Sequence, residues 1–199
     1  MGVLTLPQPE QRTRERIIVG AADLIRRRGL AGSTVRDLAA HSGAPLGSTY
    51  HYFPRGKQQL AAEAVRFAGD LVSRVLEHEL QAGPAAGVRA FLGLWRQTVV
   101  DSDFAAGCPV LAVAVEEPPG DGDPEAITAA AEVFAAWESL LSASLREHGV
   151  SPRQAAGLAT LVVASVEGTV AMCRAKRDIG PLDDVAARLD ALLGAAVAS

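Results

Sequence analysis

The amino-acid sequence predicts an all-α protein of about nine helices, arranged as a three-helix head with a helix-turn-helix and a larger helical body. Hydrophobic residues make up 49% of the 199 residues, but aromatic residues only 5%. Apolar residues recur at helical spacing in most segments, and short Gly- or Pro-bearing stretches separate these segments, as expected at helix ends. We place the head at residues 1–57 and the body at residues 58–199.

The first helix is predicted from Glu10 to Arg28, after a loose arm over residues 1–9 that contains Pro7 and Pro9. Its apolar stripe consists of Ile17, Ile18, Ala21, Leu24 and Ile25. Three arginines occupy its last turn, where cations oppose the negative end of the helix dipole.

Two short helices follow, separated by a tight turn. Thr34 and Asp37 have the spacing of a capping box, with Asp in place of Glu or Gln. Gly43 suits the end of the first short helix because it accepts a positive φ. Pro45 is expected in the first turn of the second, where its missing N–H costs nothing. The pair therefore has the form of a helix-turn-helix.

The second short helix has the composition of a contact surface. Gly47, Ser48, Thr49, Tyr50, His51 and Tyr52 are mediocre helix formers. Small residues allow close backbone approach, while hydroxyls and a histidine can hydrogen-bond phosphates or base edges. Lys57 follows just beyond this helix and is placed to meet a phosphate.

Charge is distributed unevenly along the chain. The formal net charge is −4, but residues 1–60 carry nine Lys and Arg against four Asp and Glu, which gives +5 there and −9 in the remainder. A basic head on an acidic body suits a protein that presents one end to a polyanion. Chance clustering of charges on solvated helix faces explains the same counts equally well.

The stretch TVRDLAAHSGAPLGSTYHYFPRGKQQL resembles the DNA-binding signature of the tetracycline-repressor (TetR) family. The matching residues are Thr34, Leu38, Ala39, Gly43, Gly47, Tyr50, Tyr52, Phe53, Lys57 and Leu60. The departures from the family pattern are Ala44, Pro45, Thr49, Gln58 and the additional Gly56.

The resemblance implies a surface for double-stranded DNA. It places Leu46, Gly47, Ser48 and His51 near base edges. It places Thr34, Arg36, Tyr50, Tyr52 and Lys57 at phosphates, with Pro45 on the same surface. It also implies a homodimer, whose two-fold symmetry would match a palindromic operator.

The body is predicted as a series of amphipathic helices. Their expected ranges are 58–81, 85–100, 124–148 and 151–178, with a final helix after Gly180-Pro181 and a loop over residues 117–124. The apolar run from Gly107 to Glu116 fits either a strand or a buried helix. We interpret it as a short helix with Pro109 near its start, since the other segments are helical.

PRGKQQLAAEAV, GCPVLAVAVE and VEGTVAMCRA resemble one TetR subgroup, the repressors similar to the lincomycin-resistance regulator of Bacillus. This resemblance implies a small-molecule cavity in the body, with candidate lining residues Phe91, Trp95, Cys108, Leu111, Phe134, Trp137 and Met172. It also implies a dimer formed by the last two helices, with candidate interface residues Leu158, Leu161, Val162, Leu182, Val185, Leu189 and Leu192. For each lining residue taken singly, ordinary core is the better explanation, and both apolar faces can instead pack within the monomer. Glu116 and Glu167 can neutralise a cationic effector, or be solvated or paired with an arginine.

Other classes of protein are disfavoured. The four histidines belong to no metal-binding motif, and P-loop, G-x-S-x-G and C-x-x-C sequences are absent, so we expect no enzyme, no metal and no cofactor. Cys108 and Cys173 fit buried thiols in a reducing compartment, a redox-sensing Cys108 being the minority alternative. The N-terminal residues lack the apolar core of a signal peptide, and no apolar run reaches the length of a bilayer span. We expect a cytoplasmic location.

We therefore expect a ligand-responsive transcriptional repressor, released from a palindromic operator by a small apolar or aromatic effector. The alternative is a helical DNA-binding or adaptor protein without an effector.

Overall fold

The computed structural model describes residues 9–117 and 124–198. Over these ranges the chain forms nine α-helices and one 3₁₀ turn, with no strand. The helices are α1 (Pro9–Arg28), α2 (Val35–His41), α3 (Leu46–Tyr52), α4 (Lys57–Glu79), α5 (Pro84–Asp101), α6 (Pro109–Ala114), α7 (Glu125–Glu147), α8 (Pro152–Lys176) and α9 (Gly180–Ala198), with the 3₁₀ turn at Leu80–Ala82. The predicted all-α class is confirmed. The arm at residues 1–8 and most of the predicted loop at 117–124 lie outside the described residues.

The start of α2 has the capping box that the sequence predicts. The Thr34 hydroxyl accepts the Asp37 N–H at 3.1 Å, and the Asp37 carboxylate accepts the Thr34 N–H at 2.8 Å. Gly43 has the predicted positive φ, +64°, in the turn that follows. Pro45 was expected in the first turn of α3, but it lies one residue before that turn, at the N-cap. Its backbone is extended there, and it makes no side-chain cap hydrogen bond.

Helix α4 connects head and body. It packs against α1 on the head side and against α5 and α7 on the body side. It begins at Lys57, so this lysine occupies the first turn of the connector and does not lie in a separate loop. A movement of α4 relative to the body would therefore be transmitted directly to the head.

The apolar run after Gly107 is helical, as interpreted from the sequence. Pro109 is the first residue of α6, where it needs no backbone hydrogen bond. The Cys108 sulfur precedes it as the cap and accepts the Leu111 N–H at 3.5 Å.

The predicted dimer face mixes two sides of α8 and α9, and this part of the prediction is corrected. Leu158, Val162, Leu182 and Leu189 are buried within the single chain, whereas Leu161 and Leu192 are 45% and 40% exposed and Val185 is half-buried. Positions 158 and 162 lie one turn apart on the inner side of α8, and 161 lies on the other side. The apolar residues available to a partner form what we call the outer face: Leu161 and Met172 of α8, and Leu192 and Val197 of α9.

Helix α8 is long and apolar enough to cross a bilayer by length and composition. Half of its most apolar window is nevertheless buried inside the chain. Residues such as Val166 and Val170 contact the neighbouring helices, so α8 has the burial of a core helix.

Candidate DNA-binding surface and effector cleft

The residues predicted to contact DNA lie along α2 and α3. Thr34, Arg36, Pro45, Gly47, Tyr50 and His51 are exposed, and Leu46, Ser48, Tyr52 and Lys57 are half-buried. No heavy atom lies within 4 Å of the position that a side chain at Gly47 would occupy. The surface of α3 is therefore open to the close approach of a large partner.

Two buried residues hold α3 against the head. Thr49 is fully buried, and Phe53 is 1% exposed at the end of the helix. The Thr49 hydroxyl, which replaces an aliphatic side chain of the family pattern, approaches the Pro45 carbonyl at 3.4 Å. The Arg14 guanidinium lies 5.3 Å from the centre of the Phe53 ring. These contacts fix one side of α3 and leave the other to solvent.

The cations of the head divide into two groups. Arg26 and Arg27 form ion pairs with Asp23 in the same helix, and Arg14 pairs with Glu63 of α4. Arg36 and Lys57, by contrast, form no ion pair with any residue that the structure describes. Their charge is thus available to an external anion.

Asp23 joins α1 to the helix-turn-helix. Its carboxylate lies 2.7 Å from the His41 Nε2 at the end of α2. Partial burial by itself raises the pKa of Asp23, but hydrogen bonds from His41, Arg26 and Arg27 outweigh it and lower the pKa to about 2. The group is therefore a stable anion that fixes α2 relative to α1.

The end of α1 is bound to the body by three groups, which we call the head–body joint: Gly107, Glu116 and Arg174. The Gly107 N–H donates to the Arg26 carbonyl at 2.9 Å. The Arg174 guanidinium donates to the carbonyls of Arg27 and Ala105, both at 3.2 Å.

Glu116 completes the joint. Its carboxylate accepts the N–H groups of Leu30 and Ala31 at 2.8 and 2.9 Å. Among the described residues, Glu116 therefore pairs with no arginine. Its carboxylate instead binds two backbone N–H groups of the turn that follows α1.

A mainly apolar cavity of about 450 Å³ lies between head and body, and we call it the head–body cleft. A volume of this size is typical of small-molecule sites. Its lining comes from α1, α4, α5 and the start of α6: Val19, Ala22, Asp23, Arg26, Phe67, Ala68, Leu71, Val72, Leu94, Trp95, Thr98, Gly107 and Pro109. A molecule in this cleft would touch helices of both units at once.

Four of the predicted effector-binding residues form one aromatic cluster in the body. Phe91, Trp95, Phe134 and Trp137 meet edge to face, with ring centres 5.5 to 6.4 Å apart. Trp95 belongs both to this cluster and to the cleft wall. Of the other predicted residues, Cys108 is buried and Leu111 is half-buried against the core.

Met172 does not belong to this group, and its assignment is corrected. It is 48% exposed on the outer face of α8. Position 172 shares a helix side with 161 and 168, whereas 166, 170 and 173 point inward. Helical spacing alone did not separate these two sides, because both carry apolar residues.

Several polar atoms of the body lack a hydrogen-bond partner among the residues that the structure describes. The Trp137 indole N–H donates to the Gly69 carbonyl at 3.2 Å, but the Trp95 indole nitrogen has no partner. Apart from the weak thiol donor of Cys108, both carboxyl oxygens of Glu167 also lack one, although the residue is only 3% exposed.

Glu167 and Cys108 lie side by side. Burial raises the pKa of Glu167 to about 8, an effect that the neighbouring thiol opposes only in part. Burial, together with the charge that Glu167 can carry, raises the pKa of the Cys108 thiol well above its ordinary value. At neutral pH both groups therefore keep their protons, which disfavours a reactive Cys108 thiolate.

Three residues of these sites were not singled out by sequence reasoning. The i, i+3 and i, i+4 spacing of Asp23 with Arg26 and Arg27 indicates ion pairs within a helix, but no spacing connects Asp23 with His41. Arg174 and Gly107 reach α1 across 147 and 81 positions of sequence, and no local pattern signals such contacts. Among the described residues, no three His, Cys, Asp or Glu side chains converge on a point where a metal ion could bind.

A helix-turn-helix on a basic head, joined by one long helix to a helical body with a cleft between them, is the architecture of a DNA-binding regulator. Residues 17–64 match the family described as bacterial regulatory proteins, tetR family. Residues 84–188 match the family described as transcriptional regulator LmrA/YxaF-like, C-terminal domain.

Known proteins support the same assignment. The uncharacterized HTH-type transcriptional regulator Rv0196 of Mycobacterium tuberculosis is 40% identical over 92% of this chain and 95% of its own. The HTH-type transcriptional regulator LmrA of Bacillus subtilis is 30% identical over 91% and 96%. A TetR transcriptional regulator from Legionella pneumophila has the same fold, with a TM-score of 0.81 at 18% identity over 95% and 99% of the two chains.

The chain therefore belongs to the TetR family of transcriptional regulators, and its body is of the LmrA/YxaF-like type. Members of this family are generally non-enzymatic, ligand-responsive DNA-binding proteins.

Proposed function

We propose that this protein is a cytoplasmic repressor that binds a palindromic operator as a homodimer and is released by a small apolar or aromatic effector. The observation that carries the proposal is the head–body cleft. Its walls combine α1 of the DNA-binding head with α4 and α5 of the body. An occupant would alter the packing on which the position of the head depends.

In the DNA-bound state, we assign α3 to the major groove. Leu46, Gly47, Ser48 and His51 face base edges, while phosphates meet Thr34, Arg36, Tyr50, Tyr52 and Lys57, beside Pro45. The exposed Tyr50 and the unpaired positive charge of Arg36 and Lys57 support this assignment. Phosphate contacts fix the position of the head, and base contacts supply specificity.

The dimer is assigned to the outer face of α8 and α9. Exposed Leu161, Met172 and Leu192 provide an apolar patch on the side of the body that the chain does not cover itself. Because dimeric readers bind half-sites a whole number of helical turns apart, the separation of the two heads controls operator affinity.

Release of the operator is assigned to a loosening of the head–body joint. The Gly107, Glu116 and Arg174 contacts hold the end of α1 on the body, and α1 also forms one wall of the cleft. An effector that separates α1 from α4 and α5 would weaken these contacts and tilt the connector helix. The two heads would then no longer match successive grooves.

The test is to select bound duplexes from a random library with the purified full-length chain, and to footprint the region upstream of its own and neighbouring genes. A protected palindrome, bound by a dimer, is expected. Loss of that complex on addition of a compound that fills the cleft supports a repressor with an effector. Operator binding that no cleft ligand changes would leave the alternative, a DNA-binding or adaptor protein without an effector.

A further inference from the structure

We infer that the effector carries a positively charged nitrogen, and that Glu167 is the group that binds it. The inference rests on the proposed function and assigns a chemical class to the effector. Its basis is the position of Glu167 behind the floor of the head–body cleft.

The segment Gly107–Pro109 separates the cleft from Glu167. Gly107 and Pro109 line the cleft, and Cys108 between them turns its side chain inward beside Glu167. On its other side the segment packs tightly on α8: a Cβ at Gly107 would come within 2.9 Å of the Arg174 side chain and 3.5 Å of Val170. Glu167, Val170 and Arg174 share this side of α8, and the Glu167 carboxyl lies beside the Cys108 thiol of the segment.

The carboxyl of Glu167 has the weak thiol donor of Cys108 beside it, but no N–H or O–H donor among the described residues. Glu116 accepts two backbone N–H groups and the Asp23 carboxylate is paired with arginines, whereas Glu167 has no comparable donor. Burying an ionised carboxylate without a partner is unfavourable by several kcal/mol. An arriving cation supplies the missing partner, so a ligand gains here an interaction that the empty protein does not satisfy.

The surroundings favour a cation attached to an apolar or aromatic body. Trp95 forms part of the cleft wall, and an indole ring attracts cations. The unpartnered indole N–H of Trp95 can in addition donate to an acceptor on the ligand.

Binding at Glu167 also explains transmission to the head. To reach the carboxyl, the ligand must displace the Gly107–Pro109 segment. The Gly107 N–H is the donor to the Arg26 carbonyl of α1, so that displacement breaks one contact of the joint. The same movement that admits the cation thus loosens the head.

The experiment compares two probes of nearly equal shape, 2-(2-naphthyl)ethylamine and 2-(2-naphthyl)ethanol, by isothermal titration calorimetry with the full-length protein. At pH 7 the amine should bind at least tenfold more tightly than the alcohol. Titrations in buffers of different ionisation enthalpy should show release of close to one proton per amine bound. Glu167→Gln, which keeps the shape of the side chain, should abolish both the preference and the proton release.

The matched control is Glu138→Gln, which removes a carboxyl from α7 outside the cleft and should retain the preference. Equal binding of the two probes, binding of neither, or a preference that survives Glu167→Gln overturns the inference. So does a preference lost in Asp23→Asn and retained in Glu167→Gln. Operator binding is measured separately without probe, so a protein that binds no DNA refutes the proposed function while the calorimetry still decides the role of Glu167.

Discussion

Asp23 in the head is partly buried and Glu167 in the body is almost fully buried, and the pKa values of these two carboxyl groups move in opposite directions. Hydrogen bonds from His41, Arg26 and Arg27 outweigh partial burial and lower the pKa of Asp23 to about 2. Burial, which the Cys108 thiol opposes only in part, raises the pKa of Glu167 to about 8. The head uses its polar groups to hold its own helices in place. The body, by contrast, retains buried polar atoms that lack a hydrogen-bond partner among the described residues.

The largest expected effect concerns Glu167 and the pH dependence of stability. In the folded chain its carboxyl keeps its proton up to pH about 8, but in the unfolded chain only to about its ordinary 4.5. Between these values the folded state binds the extra proton, so the free energy of unfolding should fall as pH rises, by at most about 1.4 kcal/mol per pH unit. Glu167→Gln should flatten this decline, measured by urea unfolding from pH 5 to 8. An identical slope in the variant would show that the carboxyl is not buried and protonated.

The contribution of Asp23 to the free energy of unfolding should depend on pH in the opposite sense. Its folded pKa lies below the ordinary 3.8, so its contribution is complete above that pH and is lost as pH falls through about 2. Asp23→Asn should lower the free energy of unfolding at pH 7 by about 2 kcal/mol, with little loss near pH 2. Urea unfolding at both pH values measures it. If Asp23→Asn lowered the free energy of unfolding as much at pH 2 as at pH 7, the loss would come from altered packing and not from the ion pairs.

Glu116→Ala tests the joint, where the two regions meet. Removal of the carboxylate leaves the Leu30 and Ala31 N–H groups without their acceptor, a loss of about 1 to 3 kcal/mol. Amide hydrogen exchange at these two positions should accelerate, while that of α7 stays the same. Glu117→Ala, which removes the adjacent carboxylate, serves as the control. Unchanged protection at Leu30 and Ala31 would refute the contact.

Lys57→Ala tests the DNA-facing side. Loss of one phosphate contact should weaken binding to all duplex sequences alike and reduce the slope of log K against log salt by about one. Titrations at several salt concentrations measure this slope. Lys176→Ala, at the end of α8 in the body, should leave it as in the wild type. If Lys57→Ala also leaves the slope unchanged, the assignment of Lys57 to a phosphate is wrong.

The smallest effect is expected for Tyr50→Phe, which removes only a hydroxyl from the surface of α3. Loss of one hydrogen bond to a phosphate should reduce operator affinity by about 1 kcal/mol, a factor of about five. The free energy of unfolding should hardly change, because Tyr50 is 52% exposed. Equal operator affinity in the variant would remove Tyr50 from the contact surface.

The sequence by itself determined the features that depend on neighbouring residues. The Thr34–Asp37 capping box and the positive φ of Gly43 follow from residue types a few positions apart, and the structure has both. The helix that begins at Pro109 is also present, but its prediction needed the helical character of the other segments. Phe91, Trp95, Phe134 and Trp137 were named together because the family resemblance implies a cavity, with ordinary core as the better explanation for each. They do meet in one cluster, and their role in binding an effector stays a prediction.

Only the tertiary structure decided which side of α8 is buried and which charges are paired. Met172 and Val162 are equally apolar in the sequence, but the packing of α7 and α9 against α8 covers one and exposes the other. Glu116 and Glu167 were equal candidates for a cation. They differ in the structure because two backbone N–H groups just after α1 donate to Glu116, while the helices around Glu167 supply no N–H donor to its carboxyl. Such differences arise from contacts between residues far apart in the chain, and local spacing carries no information about them.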